Sequence, residues 1–212
     1  IDFSSGTAVA DTNGQVYTSE GCASISDTCG YLLFYTDGKS VWNKNHQLMP
    51  NGTGLMGGIN GSSTQAALIL PEPGSSNLFY VFTVDQYPGT DGMRYTIVDL
   101  NLNGGLGDVD INLKNILLFA PCVERLSAVN HSNDTDIWVA GHKSGSNEFY
   151  TYLLTSQGLD TIPIISSVGS VIDISQGVSA LAGQLKFSSD GSKAASTSKY
   201  QNLNRNGAEL FD

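Results

Sequence analysis

The sequence predicts an all-β chain arranged as a β-propeller, with about four blades visible and a β-sandwich as the alternative arrangement of the same strands. Three observations lead there. Apolar i, i+3, i+4, i+7 periodicity is almost absent, because Gly or Pro interrupts every long window. The apolar runs are short, β-branched and aromatic, and are bounded by Gly, Asn, Asp and Ser. A strand, a polar turn and an aromatic second strand recur four times.

In chain order, Cys22 to Ser26 leads through Asp27-Thr28-Cys29-Gly30 into Tyr31 to Thr36. Ala66 to Leu70 leads through Pro71 to Asn77 into Leu78 to Val84. Leu126 to Asn130 leads through His131 to Thr135 into Asp136 to Ala140, and Gln184 to Ser188 leads through Ser189 to Ser192 into Lys193 to Thr197. Tyr95 to Leu100, Ile116 to Phe119 and Phe149 to Leu154 supply further strands. Leu78-Phe79-Tyr80-Val81-Phe82 is apolar on both faces, which predicts a strand held between two packed layers. Units starting at 22, 66, 126 and 184 match the spacing of four-stranded blades. A single domain over 1–212 is expected, with blades near 20–60, 61–120, 121–175 and 176–212. Asp37-Gly38, Asp91-Gly92 and Asp190-Gly191 are read as tight turns, since Gly accepts positive φ.

The chain starts at Ile1 without Met and ends on Leu210-Phe211-Asp212, an apolar-acidic pattern typical of mid-strand. The expectation is a processed or excised part of a larger ring.

Composition narrows the function classes. With 10 Lys plus Arg against 20 Asp plus Glu, the formal charge is −10. Phosphate binding needs clustered basic residues, so the acidic excess disfavours nucleic acid and anionic membrane surfaces, and no nucleic-acid partner is expected. No stretch reaches the roughly 20 apolar residues of a membrane span.

Cys22, Cys29 and Cys122 form no CxxC pair and suit no zinc knuckle. Their pairing is open at this stage. A Cys22–Cys29 bridge is one possibility, and buried or half-buried thiols are favoured.

Few motifs point to chemistry. Gly52-Thr53-Gly54-Leu55-Met56-Gly57 matches GxGxxG, but Pro50 precedes it and no helix can follow. It reads as a flexible loop between blades. His46, His131 and His142 lack metal-ligand spacing and read as polar or turn residues. Asp85, Asp91, Asp108 and Asp110 lie in Gly-rich loops that could hold Ca²⁺, although no EF-hand spacing is present. No GxSxG elbow and no sialidase-type Asp-box occurs. No catalytic, cofactor or metal residue is therefore assigned. Asn51, Asn60, Asn130 and Asn133 begin N-glycan sequons, which read as coincidence in an Asn-rich chain.

Several longer stretches carry a resemblance. They include Glu20 to Asp27, Gly30 to Gly38, Val41 to Gly52, Ser63 to Pro71 and Gly104 to Val109. Together they resemble the N-terminal propeller-like region of large Bacteroidetes surface proteins. Those proteins carry a gliding-motility-associated C-terminal domain and leave the cell through type IX secretion. The resemblance implies an extracellular or outer-membrane location. It carries no catalytic role. The chain departs from the family in lacking a sorting domain and in placing Cys29 where a turn residue is expected. Asp160-Thr161-Ile162 is similar to the Bacteroidetes O-glycosylation motif.

The expected function is therefore a non-enzymatic binding, adhesion or scaffold module with a surface protein or glycan as partner. The alternatives are a propeller hydrolase acting on extracellular polysaccharide, and a filament subunit whose open last blade self-associates by strand addition. Two axial carboxylates in a cleft would favour the hydrolase. A strand supplied by another chain beside Leu210 would favour assembly.

Overall fold

A computed structural model of the chain describes residues 6–58, 61–200 and 205–212. The chain is all-β, with four successive antiparallel sheets and no α-helix among the described residues. Sheet one is the meander β1 (Ala23–Ser26), β2 (Leu32–Thr36), β3 (Ser40–Asn43) and β4 (Leu48–Thr53). Sheet two runs β5 (Ala67–Pro71), β6 (Leu78–Val84), β7 (Met93–Asp99) and β8 (Asp108–Val109). A further strand, β9 (Ile116–Phe119), also pairs with β7.

Sheet three runs β10 (Cys122–Asn130), β11 (Ile137–Lys143), β12 (Ser146–Thr155) and β13 (Gly158–Leu159). There too a second piece, β14 (Ile164–Ile172), pairs with β12. Sheet four has β15 (Leu185–Phe187), β16 (Ala194–Tyr200) and β17 (Arg205–Phe211).

All four repeated hairpins of the sequence fall on observed pairs: β1–β2, β5–β6, β10–β11 and β15–β16. The outer strand of sheet two is split. β8 pairs with Val98 and Asp99, while β9 pairs with Met93 to Tyr95. Sheet three repeats the device, with β13 on Leu154 and Thr155 and β14 on Ser146 to Thr151.

Side-chain alternation stacks the sheets. From β6, Phe79 and Val81 enter a core shared with Phe34, Val41 and Met49 of sheet one. Tyr80, Phe82 and Val84 enter a second core with Leu126, Val139 and Tyr152 of sheet three. Phe79 to Val84 are all buried, as a strand between two layers must be. Each such side chain contributes roughly 1.5–3 kcal/mol by leaving water. A third core joins Ala140 and Phe149 of sheet three to Leu185 of sheet four. Gly141 makes close stacking possible, because a Cβ there would lie 2.6 Å from Met93 Sδ and 3.1 Å from Phe119.

The first strands of neighbouring sheets meet, β1 with β5, β5 with β10 and β10 with β15. Outer strands meet as well, β4 with β8 and β14 with β17. Asn51 of β4 donates its backbone N–H and its side-chain amide to Asp108 of β8, at 2.8 and 2.7 Å.

Two sequence expectations need correction. Cys22 and Cys29 are free and exposed, and only Cys122 is buried. Cys22 precedes β1 and Cys29 lies in the turn beyond it. Strand rise alone puts them about 13 Å apart, too far for a disulfide. The GxGxxG stretch is not a flexible loop. Gly52 and Thr53 close β4, Leu55, Gly57 and Gly58 are buried, and Gly57 N donates to Gly38 O at 2.9 Å.

Candidate functional site: a polar cleft at the first-strand ends

The starts of the four sheets converge. Glu20 lies just before β1, Thr64 just before β5 and Gly183 just before β15, and they line one cleft of about 650 Å³. Thr197, Lys199 and Ala208 of sheet four complete its wall.

A β-bulge builds the polar floor behind it. Cys122 faces Lys143 and Leu126 faces Gly141, so β10 takes four steps against two on β11. Val123 to Arg125 therefore leave the regular ladder, and the bulge re-aims Glu124 and Arg125. Glu124 is 5% exposed. Its Oε2 accepts the backbone N–H of Thr64 at 3.0 Å and the Thr64 hydroxyl at 2.9 Å. Its Oε1 accepts the Tyr87 N–H at 3.0 Å. Arg125 is 1% exposed. It donates to the carbonyls of Ala180 and Ala182 at 2.6 and 3.0 Å, and to Ser196 Oγ at 3.3 Å. Gly183 closes over it, since a Cβ there would lie 2.8 Å from Arg125 Nε and 2.0 Å from Thr197 O.

Gln65 completes the floor. Its Oε1 accepts the N–H groups of Leu126 and Leu185 at 3.1 and 2.8 Å, and its Nε2 donates to Leu185 O at 3.3 Å. One amide thus joins sheets two, three and four.

The electrostatics are acidic. Burial raises the Glu20 carboxyl above its ordinary pKa, and the Glu124 charge adds to the shift. Burial likewise raises Asp85, with smaller contributions from Asp91 and Glu124. Lys199 is the basic residue in the cleft wall. With the hydroxyls of Thr64, Ser179 and Thr197, the cleft offers donors and acceptors of both signs.

The residues singled out from sequence serve other ends. Asp85 Oδ2 accepts the Asp91 N–H at 2.9 Å and caps the loop between β6 and β7. Asp108 holds Asn51, and Asp110 Oδ1 caps a 3₁₀ turn through the Asn112 N–H at 2.9 Å. Among the described residues no three His, Cys, Asp or Glu are grouped to hold a metal ion.

His46 Nδ1 lies 3.1 Å from the Tyr35 hydroxyl and its Nε2 lies 3.3 Å from Asp11 Oδ2. His131 accepts the Asn133 N–H in a turn. His142 lies in β11 rather than in a turn, buried against the Phe149 ring, where its expected polar or turn role gives way to packing. Burial first, then the Arg125 charge, lowers its pKa to about 4.

The three Asp-Gly pairs are turns with positive φ at Gly38, Gly92 and Gly191. Asn51 and Asn133 spend their side-chain amides on Asp108 and Asp136, Asn130 ends β10, and Asn60 lies outside the described residues. Thr161 is exposed between β13 and β14. Gln65, Glu124, Arg125 and Lys199 were not anticipated. A charged pair inside an otherwise uncharged, mostly apolar run at Glu124-Arg125 was the available signal.

Comparison with protein-family models, curated proteins and solved structures finds no match to this chain. No helix among the described residues is long and apolar enough to cross a membrane.

Proposed function

We propose that this chain is a β-propeller segment serving as the binding or scaffold module of an exported cell-surface protein. Its ligand, a glycan or a polar protein surface, enters the cleft at the first-strand ends. Four consecutive meanders stacked first strand to first strand support the propeller over the sandwich. A sandwich covers one face of each sheet. Here the second sheet carries a core on both faces.

The observation that carries the binding reading is the cleft itself, lined by Glu20, Thr64, Thr197 and Lys199. A few convergent polar groups in a concavity are what fix a hydroxyl-rich ligand. The resemblance to type IX-exported surface proteins and the net charge of −10 support an extracellular location.

Titration with a panel of neutral and acidic oligosaccharides, read by calorimetry, tests the binding reading. Binding should weaken at least tenfold in Lys199→Ala or Thr64→Val. A panel with no binder, or binding untouched by either substitution, overturns it.

A second reading, glycan hydrolysis, draws on one observation. Glu20, its pKa raised, lies beside Glu124 at the cleft, and both engage Thr64. Against it, both oxygens of Glu124 are occupied by hydrogen-bond donors. Release of reducing ends, abolished by Glu20→Gln, would favour this reading over simple binding.

A further inference from the structure

The cleft at the first-strand ends carries two opposite charges that do not pair. Glu20 reaches it from the segment before β1, and Lys199 from β16. Both residues are exposed. Among the described residues the ion pairs are Lys39 with Asp37, His46 with Asp11, Lys143 with Glu148 and Lys193 with Asp212. Neither Glu20 nor Lys199 takes part in one.

The other charges around the cleft are committed to the protein. Glu124 accepts from the Thr64 N–H, the Thr64 hydroxyl and the Tyr87 N–H. Arg125 donates to the carbonyls of Ala180 and Ala182 and to the Ser196 hydroxyl. Lys39, which comes near Gly61, pairs with Asp37 at 3.9 Å. Asp85 caps its own loop through the Asp91 N–H.

Glu20 is short of a donor. Its carboxyl and that of Glu124 both engage the Thr64 hydroxyl, which has one proton to give. Glu124 accepts it at 2.9 Å. Desolvation first, then the Glu124 charge, holds the Glu20 carboxyl above its ordinary pKa. An ammonium group supplies both missing things, a positive charge and three N–H donors. Lys199 has the converse need, which a carboxylate meets.

The shape selects the kind of ligand. A cleft of about 650 Å³ falls within the ~300–1,000 Å³ of sites that enclose small molecules. A protein partner would instead need a patch of roughly 800 Å² on each side. The Ser179 and Thr197 hydroxyls in the wall suit the hydroxyls of a sugar.

We infer that the cleft takes a zwitterionic saccharide, its amino group held at Glu20 and its carboxylate at Lys199. The inference rests on the binding reading above and narrows its ligand.

Calorimetry with a glucosamine–glucuronic acid disaccharide and three derivatives tests it. The derivatives are N-acetylated, carboxyl-reduced, and modified at both groups. At about pH 6.5 the wild type should bind the unmodified disaccharide at least tenfold more tightly than any derivative. Glu20→Gln should abolish the preference for the free amine and keep that for the carboxylate. Lys199→Met should do the reverse. The preference each variant keeps shows that it is folded. Lys186→Ala, exposed on β15 outside the cleft wall, should change neither preference.

Ammonium binding requires Glu20 ionised, and its free carboxyl holds a proton more readily than an ordinary one. The amine preference should therefore shrink as the pH falls to about 5, with proton release on binding seen as a buffer-dependent heat.

Equal binding of the unmodified and doubly modified disaccharides, both weakened by Thr64→Val, overturns the inference while the binding reading stands. Preferences that survive both charge substitutions overturn it as well. Binding of a peptide carrying Lys and Glu, but of none of the disaccharides, overturns it in favour of a polar protein surface. If none of these ligands and no neutral or acidic oligosaccharide binds, the binding reading falls with it.

Discussion

The side-chain amide of Gln65 pairs with the backbone of Leu185 as a neighbouring strand would, accepting its N–H at 2.8 Å and donating to its carbonyl at 3.3 Å. The same oxygen also takes the Leu126 N–H. Leu126 and Leu185 are 3% and 1% exposed, so water cannot replace the amide. Each buried backbone group left unpaired costs about 1–3 kcal/mol. Gln65→Ala should therefore lower stability by about 2–4 kcal/mol. Urea unfolding should show a lower midpoint with an unchanged slope. A loss below 0.5 kcal/mol would mean that the three sheets do not depend on this clip.

Gly141 lies where sheets two and three approach closely. Gly141→Ala places a methyl within 2.6 Å of Met93 Sδ. Overpacking of this kind costs about 1–3 kcal/mol. Gly14→Ala, with nothing within 4 Å, is the matched control and should stay within about 0.5 kcal/mol of wild type. Thermal melts of the two variants make the comparison.

Thiol accessibility should divide two to one. Cys22 and Cys29 are exposed, while Cys122 is buried and its pKa is pushed up to about 12, chiefly by burial. Only the thiolate reacts. A chromogenic disulfide reagent should titrate two thiols in the native protein and a third only after unfolding. Three rapid thiols would show that β10 opens at its start.

His142 makes stability depend on pH. Its pKa is near 4 folded and near 6.5 unfolded, so the unfolded chain binds more protons between those values. Its contribution is complete above pH 6.5 and is lost as the pH falls toward 4. The loss is about 3 kcal/mol. Asp85 and Glu20, whose pKa values are raised, act oppositely as they protonate. His142→Phe isolates the imidazole, and its stability between pH 6.5 and 4 should fall by less than that of wild type. Identical slopes would reject this role.

The hairpins were legible because strand period, aromatic content and turn chemistry agree locally at each one. Asp37-Gly38 and Asp190-Gly191 announce their turns through two adjacent residues. Leu78 to Phe82 announced two cores through unbroken apolarity. The cleft was not legible. Glu20, Thr64, Glu124 and Gly183 meet only because four sheet starts converge, and their sequence separations follow from blade length rather than chemistry. The Cys22–Cys29 proximity failed for the converse reason. Sequence neighbours on a strand and its turn are kept apart by the extended backbone between them. β14 gave a weak signal because Ile164 to Val171 are exposed on both faces and show no alternation.

The split outer strands of sheets two and three bear on how this protein can diverge. β8 and β9 each hold their own stretch of β7, as β13 and β14 do on β12; Asp110 N still donates to Ile97 O and Asp160 N to Leu153 O, and the short links beyond them leave the ladder. Residues 111–113 and 161–163 are thus points where the chain can lengthen without shifting any register. Descendants of this sequence should vary in length there first. Foreign peptide epitopes grafted at these two positions should be displayed with the four-sheet frame intact.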